Sequence, residues 1–144
     1  MLLRADARVD ALRALPLFEL CSKRDLRRIA ALADERTLDE GTALITEDEP
    51  GREFFVVLEG EVEVRRRGRR VARLSAGSYV GEIALLSRSP RTATVTAVTP
   101  LRVLTITAEA FVELLDELPE LWLKVARTLA DRVDADEAMD AVRN

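Results

Sequence analysis

The chain has 144 residues, 48% of them hydrophobic and 33% charged, so it can bury a core without disulfides or structural metals. Its net charge of -4 argues against a nucleic-acid-binding chain, because such chains carry an excess of basic residues. It has no histidine and one cysteine, Cys21, which excludes an internal disulfide, the common metal ligand sets and a histidine-dependent catalytic triad. We expect a single domain over residues 1–144 with no cofactor.

The N-terminal segment 1–18 interrupts its apolar residues with charges, so it lacks the continuous apolar stretch of a secretory signal. The longest apolar runs, such as Phe54–Leu58, are far shorter than a membrane span. We therefore expect a cytoplasmic protein with no membrane span. Lys23 and Lys124 are the only lysines among the 22 basic residues, and this arginine bias favours a GC-rich bacterial genome.

Helical periodicity predicts a helical lead-in over residues 1–35. Its apolar residues follow i, i+3, i+4 spacing at Val9, Leu12 and Leu15, and again at Leu26, Ile29, Ala30 and Leu32. Ser22 lies three residues before Asp25 and is the expected N-cap of the second helix. The sequence predicts a short helix, a break at Pro16 and a second helix that ends near Asp34.

The central region 36–107 has the texture of short β-strands. All six glycines lie between residues 41 and 81, and β-type runs recur every eight to twelve residues. The expected strands are Thr42–Thr46, Phe54–Leu58, Glu61–Arg66, Val71–Leu74, Thr92–Ala97 and Leu101–Thr107. Val62 and Val64 alternate with acidic and basic residues, which gives that strand one packed and one polar face. The pattern predicts a mainly β fold with flanking helices, an antiparallel sandwich or jelly roll.

Helical periodicity returns after this region, and we expect two C-terminal helices over residues 108–143. The first has apolar residues at Phe111, Leu114, Leu115 and Leu118, and the second has Leu121, Val125, Leu129 and Val133. Pro119 restarts the helix between them. Phe111 and Trp122 are expected core anchors, although Trp122 could equally face a partner domain. Cys21 is expected to be a small buried apolar residue.

Arg65–Arg70 places five arginines around Gly68. Such a dense charge could bind nucleic acid or anionic lipid. Gly68 lies between two predicted strands, however, so a solvated hairpin tip is the favoured interpretation. We expect no nucleic-acid binding by this chain alone.

The segment 77–95 carries the most chemical information. Between Gly81 and Pro90 an apolar stretch is too short for an ordinary helix but suits one helical turn, whose free N–H groups would bind an anion. Arg91 lies nine residues beyond Glu82, at the head of a predicted strand. Its guanidinium would complete an oxyanion site for a phosphodiester, and the Glu82 carboxylate could accept hydrogen bonds from a sugar hydroxyl. An isolated pair of this kind could equally be an ordinary ion pair.

Residues 81–95, GEIALLSRSPRTATV, resemble the phosphate-binding cassette of cyclic-nucleotide-binding domains, as found in cAMP receptors, protein kinase A regulatory subunits and cyclic-nucleotide-gated channels. Residues 49–64, EPGREFFVVLEGEVEV, resemble the glycine-punctuated strands that precede it in that family. The resemblance extends over roughly residues 15–135. It implies a helical lead-in, an eight-stranded antiparallel jelly roll, a cassette helix, and two C-terminal helices that move when cAMP or cGMP binds.

The resemblance also implies roles for single residues of the cassette that Gly81 opens. Glu82 would bind the ribose 2′-hydroxyl and Arg91 the cyclic phosphate. The amides of Ile83 and Ala84 would supply main-chain donors. Thr92 matches a position that contacts phosphate and guanine in cGMP-responsive relatives, so it permits cGMP without requiring it.

The purine and the lid involve residues outside the cassette helix. Val64, Leu74 and Val80 match positions that flank the purine, and Val80 replaces the phenylalanine more common there. Arg132 aligns with a lid position on the final helix. The next lid position falls on Ala135, so part of the lid is missing.

We expect a non-enzymatic sensor domain for cAMP, with cGMP as a second ligand, in which binding shifts the population toward a state with the last helix over the base. Output would come from a covalent or non-covalent effector domain, and the C-terminal helix could pair two copies into a homodimer. The alternative is a nucleotide-free jelly roll that serves as an interaction or dimerisation module. An enzyme is the weaker hypothesis, because Glu82 and Arg91 come without a nucleophile paired to a base.

Overall fold

The computed structural model describes residues 5–81, 90–128 and 130. Within these residues, eight strands form two four-stranded antiparallel sheets. The strands are β1 (Asp34–Leu38), β2 (Ala43–Ile45), β3 (Glu53–Glu59), β4 (Val62–Arg66), β5 (Arg69–Leu74), β6 (Tyr79–Val80), β7 (Thr94–Ala97) and β8 (Leu101–Thr107). One sheet has the order β1-β8-β3-β6 and the other β2-β7-β4-β5. The predicted eight-stranded antiparallel roll is confirmed.

Helices precede and follow the strands in the chain, and they pack together in one cluster. They are α1 (Ala5–Arg13), a 3-10 turn (Pro16–Phe18), α2 (Lys23–Ala30), α3 (Ala108–Glu117) and α4, which covers residues 119–128. The Ser22 hydroxyl accepts a hydrogen bond from the Asp25 N–H at 3.1 Å, and the Asp25 carboxylate accepts one from the Ser22 N–H at 2.9 Å. These two bonds confirm Ser22 as the N-cap of α2.

The predicted end of the second helix near Asp34 is wrong by four residues, because α2 ends at Ala30. Asp34 instead begins β1 and pairs with Thr105 of β8. The sequence of β1 shows no apolar alternation, and its burial pattern shows none either. Its strand conformation therefore depends on the β8 partner, which lies far away in the chain.

Strand β3 is buried on both faces, which explains its uninterrupted apolar sequence. Phe54 and Val56 face the helices, whereas Phe55 and Val57 face the opposite sheet. The side chains of alternate residues thus enter two separate clusters. The helix-side cluster lies between the β1-β8-β3-β6 sheet and the helices. The roll cluster lies between the two sheets and consists of Ile45, Phe55, Val57, Val62, Val80, Val95, Ala97, Leu101 and Val103.

The helix-side cluster is built around three aromatic rings. The Phe18 ring lies 6.3 Å from that of Phe54 and 6.1 Å from that of Phe111, and all three side chains are fully buried. The cluster is completed by Val9, Leu12, Leu15, Leu26, Ile29, Val56, Leu104, Ile106, Leu115, Leu121 and Val125, with smaller neighbours. Phe111 is therefore confirmed as a core anchor.

Trp122 is not a core anchor, because 43% of its surface is exposed. Residues Leu121 and Val125 of α4 take the core-facing positions instead, and Trp122 and Leu123 lie on the outer side. Cys21 is half-buried against the helix-side cluster rather than fully buried. Burial is the main cause that raises the pKa of its thiol to about 11.

The arginine-rich run forms the tip of the β4–β5 hairpin, as predicted. Arg67 and Gly68 form its two-residue turn with positive φ angles of 53° and 77°, as a tight hairpin turn requires. Residues 65–70 are all exposed.

Among the described residues, none of the helices has the length and apolar character needed to cross a membrane.

Candidate ligand-binding site

Arg91 is held by the loop that connects β2 to β3. The Asp48 N–H donates to the Arg91 carbonyl at 2.8 Å, and the Arg91 N–H donates to the Glu49 carbonyl at 3.1 Å. The predicted strand over Thr92–Ala97 begins only at Thr94, so Arg91 precedes β7 by three residues. Its main chain is therefore fixed by the loop rather than by a sheet ladder.

The Arg91 side chain is only 9% exposed. Its Nη2 donates to the Glu53 carbonyl at 2.6 Å, whereas its buried Nε has no hydrogen-bond partner among the described residues. Burial lowers the pKa of the guanidinium, and the charge of Glu53 offsets this only in part. A buried cation whose charge is compensated only in part is a favourable partner for an anion.

Two glycines make room for this guanidinium. A β-carbon at Gly51 would overlap Arg91 Nε, and one at Gly81 would lie 2.8 Å from both Arg91 Nη1 and the Glu53 carbonyl oxygen. Gly81 also has a φ of 84°, which favours glycine. The structure thus brings the predicted residues Gly81 and Arg91 together. We call the Arg91 guanidinium with Gly51, Gly81 and the Glu53 carbonyl the Arg91 cradle.

The three predicted purine-flanking residues pack in the roll cluster. Val80 is buried on β6 opposite Phe55, while Val64 and Leu74 lie half-buried on the adjacent strands β4 and β5. The neighbouring Val62 pairs with Leu74 and is completely buried. Val64 and Leu74 therefore form a partly exposed edge of the cluster, and Leu38 and Leu44 are partly buried against it as well.

Of the other residues predicted to contact the ligand, the structure describes only one. Thr92 is exposed, next to Arg91 and outside the strand. Glu82, Ile83, Ala84 and Arg132 lie outside the described residues, as do Leu129, Val133 and Ala135. Their ligand roles stay predictions.

Sequence reasoning missed two participants, Gly51 and the main-chain oxygen of Glu53. A carbonyl oxygen leaves no trace in the residue type. The Pro50-Gly51 pair signals only a turn, although the absence of a side chain at Gly51 is what admits the guanidinium. A packing requirement of this kind appears only when Arg91, forty residues later, is placed in space.

The model of the cyclic nucleotide-binding domain family matches residues 35–117, which include α3 and all the strands except the first residue of β1. The chain belongs to this family. Arg91 and Gly81 thus lie within a cyclic nucleotide-binding domain, and so do the purine-flanking candidates on β4, β5 and β6.

Relatives include a cAMP-dependent protein kinase regulatory subunit of Mycosarcoma maydis, 37% identical over 131 residues, which are 84% of this chain and 25% of that protein. The Pycsar effector protein PaPycTIR of Pseudomonas aeruginosa is 35% identical over 74% of this chain and 35% of its own. The N-terminal domain of a Streptomyces coelicolor transcriptional regulator superposes with a TM-score of 0.80 at 31% identity, covering 88% of this chain and 94% of that one. The chain thus spans a quarter to a third of these two curated relatives.

Proposed function

We propose that this cyclic nucleotide-binding domain is a non-enzymatic sensor that binds cAMP in preference to cGMP. The observation that carries the proposal is the Arg91 cradle, in which a buried guanidinium lies against Gly51 and Gly81, within the segment that resembles a phosphate-binding cassette. A cyclic phosphate is a compact monoanion whose two free oxygens can accept such charge-assisted hydrogen bonds. Similarity to a cAMP-dependent kinase regulatory subunit supports cAMP, and Thr92 leaves cGMP as a second ligand.

The rest of the nucleotide would occupy the space between the cradle and the roll cluster. The purine would pack on the partly exposed edge formed by Val64 and Leu74, with Val80 beneath it. Glu82 would accept from the ribose 2′-hydroxyl, and the amides of Ile83 and Ala84 would add donors to the phosphate. Burial of a purine on apolar side chains supplies affinity, while the phosphate contacts supply orientation.

Signal output would use the C-terminal helices, with Arg132 contributing to a lid over the base. The described part of α4 is anchored through Leu121 and Val125, and its Lys124 ammonium donates to the Asp25 carboxylate at 2.7 Å. A ligand that binds better to the closed arrangement shifts the population toward it by its differential affinity. A covalent or non-covalent effector domain would read that shift. The expectation of a cytoplasmic, bacterial protein stays a prediction.

Calorimetric titration of ligand-stripped protein with cAMP and with cGMP tests the proposed function. We expect saturable binding of one cyclic nucleotide per chain, tighter for cAMP, and unchanged cAMP after prolonged incubation. Binding of neither nucleotide would overturn the sensor proposal, and hydrolysis of cAMP would overturn its non-enzymatic part. The mass of any small molecule released on denaturing the purified protein gives independent identification.

The lid is tested by ending the chain after Ala126, which retains the core contacts of Leu121 and Val125. Phosphate capture by Arg91 survives this change, so the loss of affinity should arise mainly from faster release. Stopped-flow release of a fluorescent cAMP analogue measures the off-rate, with folding checked by circular dichroism. An unchanged off-rate in a folded truncated chain would contradict a lid.

The alternative function is a nucleotide-free interaction module, and one observation favours it. Trp122 and Leu123 are 43% and 68% exposed on the outer side of α4, an unusual pair of large apolar side chains in solvent. Such a surface could bind a partner or pair two copies. If the stripped protein binds no cyclic nucleotide yet elutes as a dimer that Trp122→Ala dissociates, the interaction module replaces the sensor.

A further inference from the structure

We propose that Glu47 is a positioning residue for the phosphate-binding Arg91, acting through the loop of residues 46–50. The inference rests on the proposed role of Arg91 and adds the residue that keeps this arginine in place. The loop approaches Arg91 from the side of β2, and its neighbours Asp48 and Glu49 make both main-chain hydrogen bonds to Arg91. Contacts that hold this loop therefore also hold the main chain of Arg91.

Glu47 fixes the loop at two points. Its N–H donates to the Thr94 hydroxyl at 3.0 Å, which ties it to the start of β7. Its two carboxylate oxygens accept from the Arg67 N–H at 3.1 and 3.2 Å, which ties it to the tip of the β4–β5 hairpin. Glu47 thus bridges from β7 to the hairpin tip, one residue before the contacts that bracket Arg91.

The loop adopts a conformation that surrounding contacts help to hold. Asp48 has a φ of 68°, in the left-handed region that a residue with a side chain adopts at a cost. Inside the loop, the Glu49 N–H donates to the Thr46 carbonyl at 3.2 Å. A strained loop persists where surrounding contacts determine it, and the Glu47 bonds are contacts of that kind.

Electrostatics and positioning predict opposite effects for the loss of Glu47. Its negative charge, one residue before the loop contacts to Arg91, would by itself weaken the binding of a cyclic phosphate. Removal of charge alone should therefore strengthen binding, whereas loss of the hydrogen bond to Arg67 should weaken it. Glu47→Gln removes the charge and keeps an acceptor oxygen, but Glu47→Ala removes both.

The experiment measures the Kd for cAMP by calorimetry on the full chain. We expect Glu47→Ala to bind about three- to tenfold more weakly, in proportion to one hydrogen bond, and Glu47→Gln to bind as tightly as the parent or more tightly. Glu40→Ala is the matched control, because Glu40 is an exposed carboxylate in the preceding turn. Binding of Glu47→Ala as tight as the parent, or tighter, would overturn the proposal.

A double-mutant cycle shows whether Glu47 acts through Arg91. In an Arg91→Ala background, Glu47→Ala should add little further loss, and additive losses would contradict the proposed route. Amide hydrogen exchange at Arg91 should also accelerate in Glu47→Ala. Should that variant fail to fold, Thr94→Val removes the other tie and should weaken binding in the same direction, with an unchanged Kd overturning the proposal.

The outcomes separate this proposal from the proposed function. If the parent binds no cyclic nucleotide, the function itself fails. If the parent binds and Arg91→Ala loses affinity while Glu47→Ala does not, only the role of Glu47 fails.

Discussion

The helix-side cluster and the roll cluster lie on opposite faces of the same sheet but are covered by different elements. Side chains from helices cover the first cluster, and its three phenylalanine rings are fully buried. The second is closed by the opposite sheet over most of its area, but Val64 and Leu74 stay half-buried at its edge. Under the proposed function, the helix-side cluster stabilises the fold, while the edge at Val64 and Leu74 is the apolar surface that the purine covers.

One charged group beside each cluster illustrates the comparison. Next to the helix-side cluster, the Asp25 carboxylate accepts hydrogen bonds from Ser22 and Lys124 and is well satisfied. Next to the roll cluster, the buried Arg91 keeps Nε without a partner within the described residues. The ion pair of Asp25 and Lys124 joins two helices, whereas the buried charge of Arg91 is compensated only in part by Glu53.

The largest change in stability should come from Phe111→Ala. Phe111 contributes a fully buried ring to the helix-side cluster, so its truncation should lower the free energy of unfolding by about 3–5 kcal/mol. The affinity of the folded fraction for cAMP should stay unchanged. Urea denaturation and calorimetry measure the two quantities, and a selective loss of affinity would contradict the division between the clusters.

Gly81→Ala should damage the ligand site itself. The new β-carbon would lie 2.8 Å from Arg91 Nη1, so affinity for cAMP should fall by at least about tenfold. Gly77→Ala is the matched control, because Gly77 has a φ of 92° but a β-carbon there would meet nothing within 4 Å. Both variants should lose about 1–3 kcal/mol from backbone strain. Equal loss of affinity in both would show that strain, not the Arg91 cradle, decides binding.

Val64→Ala should affect binding more than stability. Because the side chain is only half-buried, its truncation should cost about 1 kcal/mol of unfolding free energy. It also removes a surface on which the purine would pack, so affinity for cAMP should fall a few-fold. Val71→Ala provides a comparison, since Val71 is an exposed valine on β5. A stability loss as large as that of Phe111→Ala would mean that this edge is closed core.

The smallest effect concerns the pH dependence of Asp25. Burial opposes ionisation of this carboxyl, but hydrogen bonds from Lys124 and Ser22 outweigh it and hold its pKa below the ordinary value. The resulting stabilisation is present above the unfolded pKa and is lost as pH falls through the folded pKa. Asp25→Asn should therefore be less stable than the parent at pH 7, and the difference should shrink below about pH 4. Urea titrations at pH 7 and below about pH 4 test this. Asp10→Asn is the control, because Asp10 is exposed. A pH-independent difference would contradict the ion-pair account.

Much of the fold follows from local sequence signals, and the exceptions have a common cause. The bounds of β8, Leu101–Thr107, agree with the predicted strand, and Ser22 caps α2 as its type and spacing predict. The sequence does not predict strands β1 and β6, because β1 lacks apolar alternation and β6 has two residues. Both exist through pairing with strands that are distant in sequence, which no local pattern reveals.

The candidate site shows the same limit. Arg91 and Gly81 could be predicted because their residue types match a recognisable motif. Gly51, the Glu53 carbonyl and the Glu47 bridge could not, because they act through an absent side chain, a main-chain atom and a loop conformation. Motifs identify the groups that contact a ligand more readily than the groups that position them.

The role of Arg91 as the phosphate-binding residue is tested by calorimetric titration of cAMP into the ligand-stripped parent and into Arg91→Ala. We expect Arg91→Ala to keep its fold and to lose about ten- to a hundredfold in affinity, because one charge-assisted contact in a buried cradle disappears. Arg73→Ala, at an exposed arginine of β5 that pairs with Glu61, should bind like the parent. An Arg91→Ala chain that is folded and binds cAMP as tightly as the parent would contradict the assignment of the phosphate site.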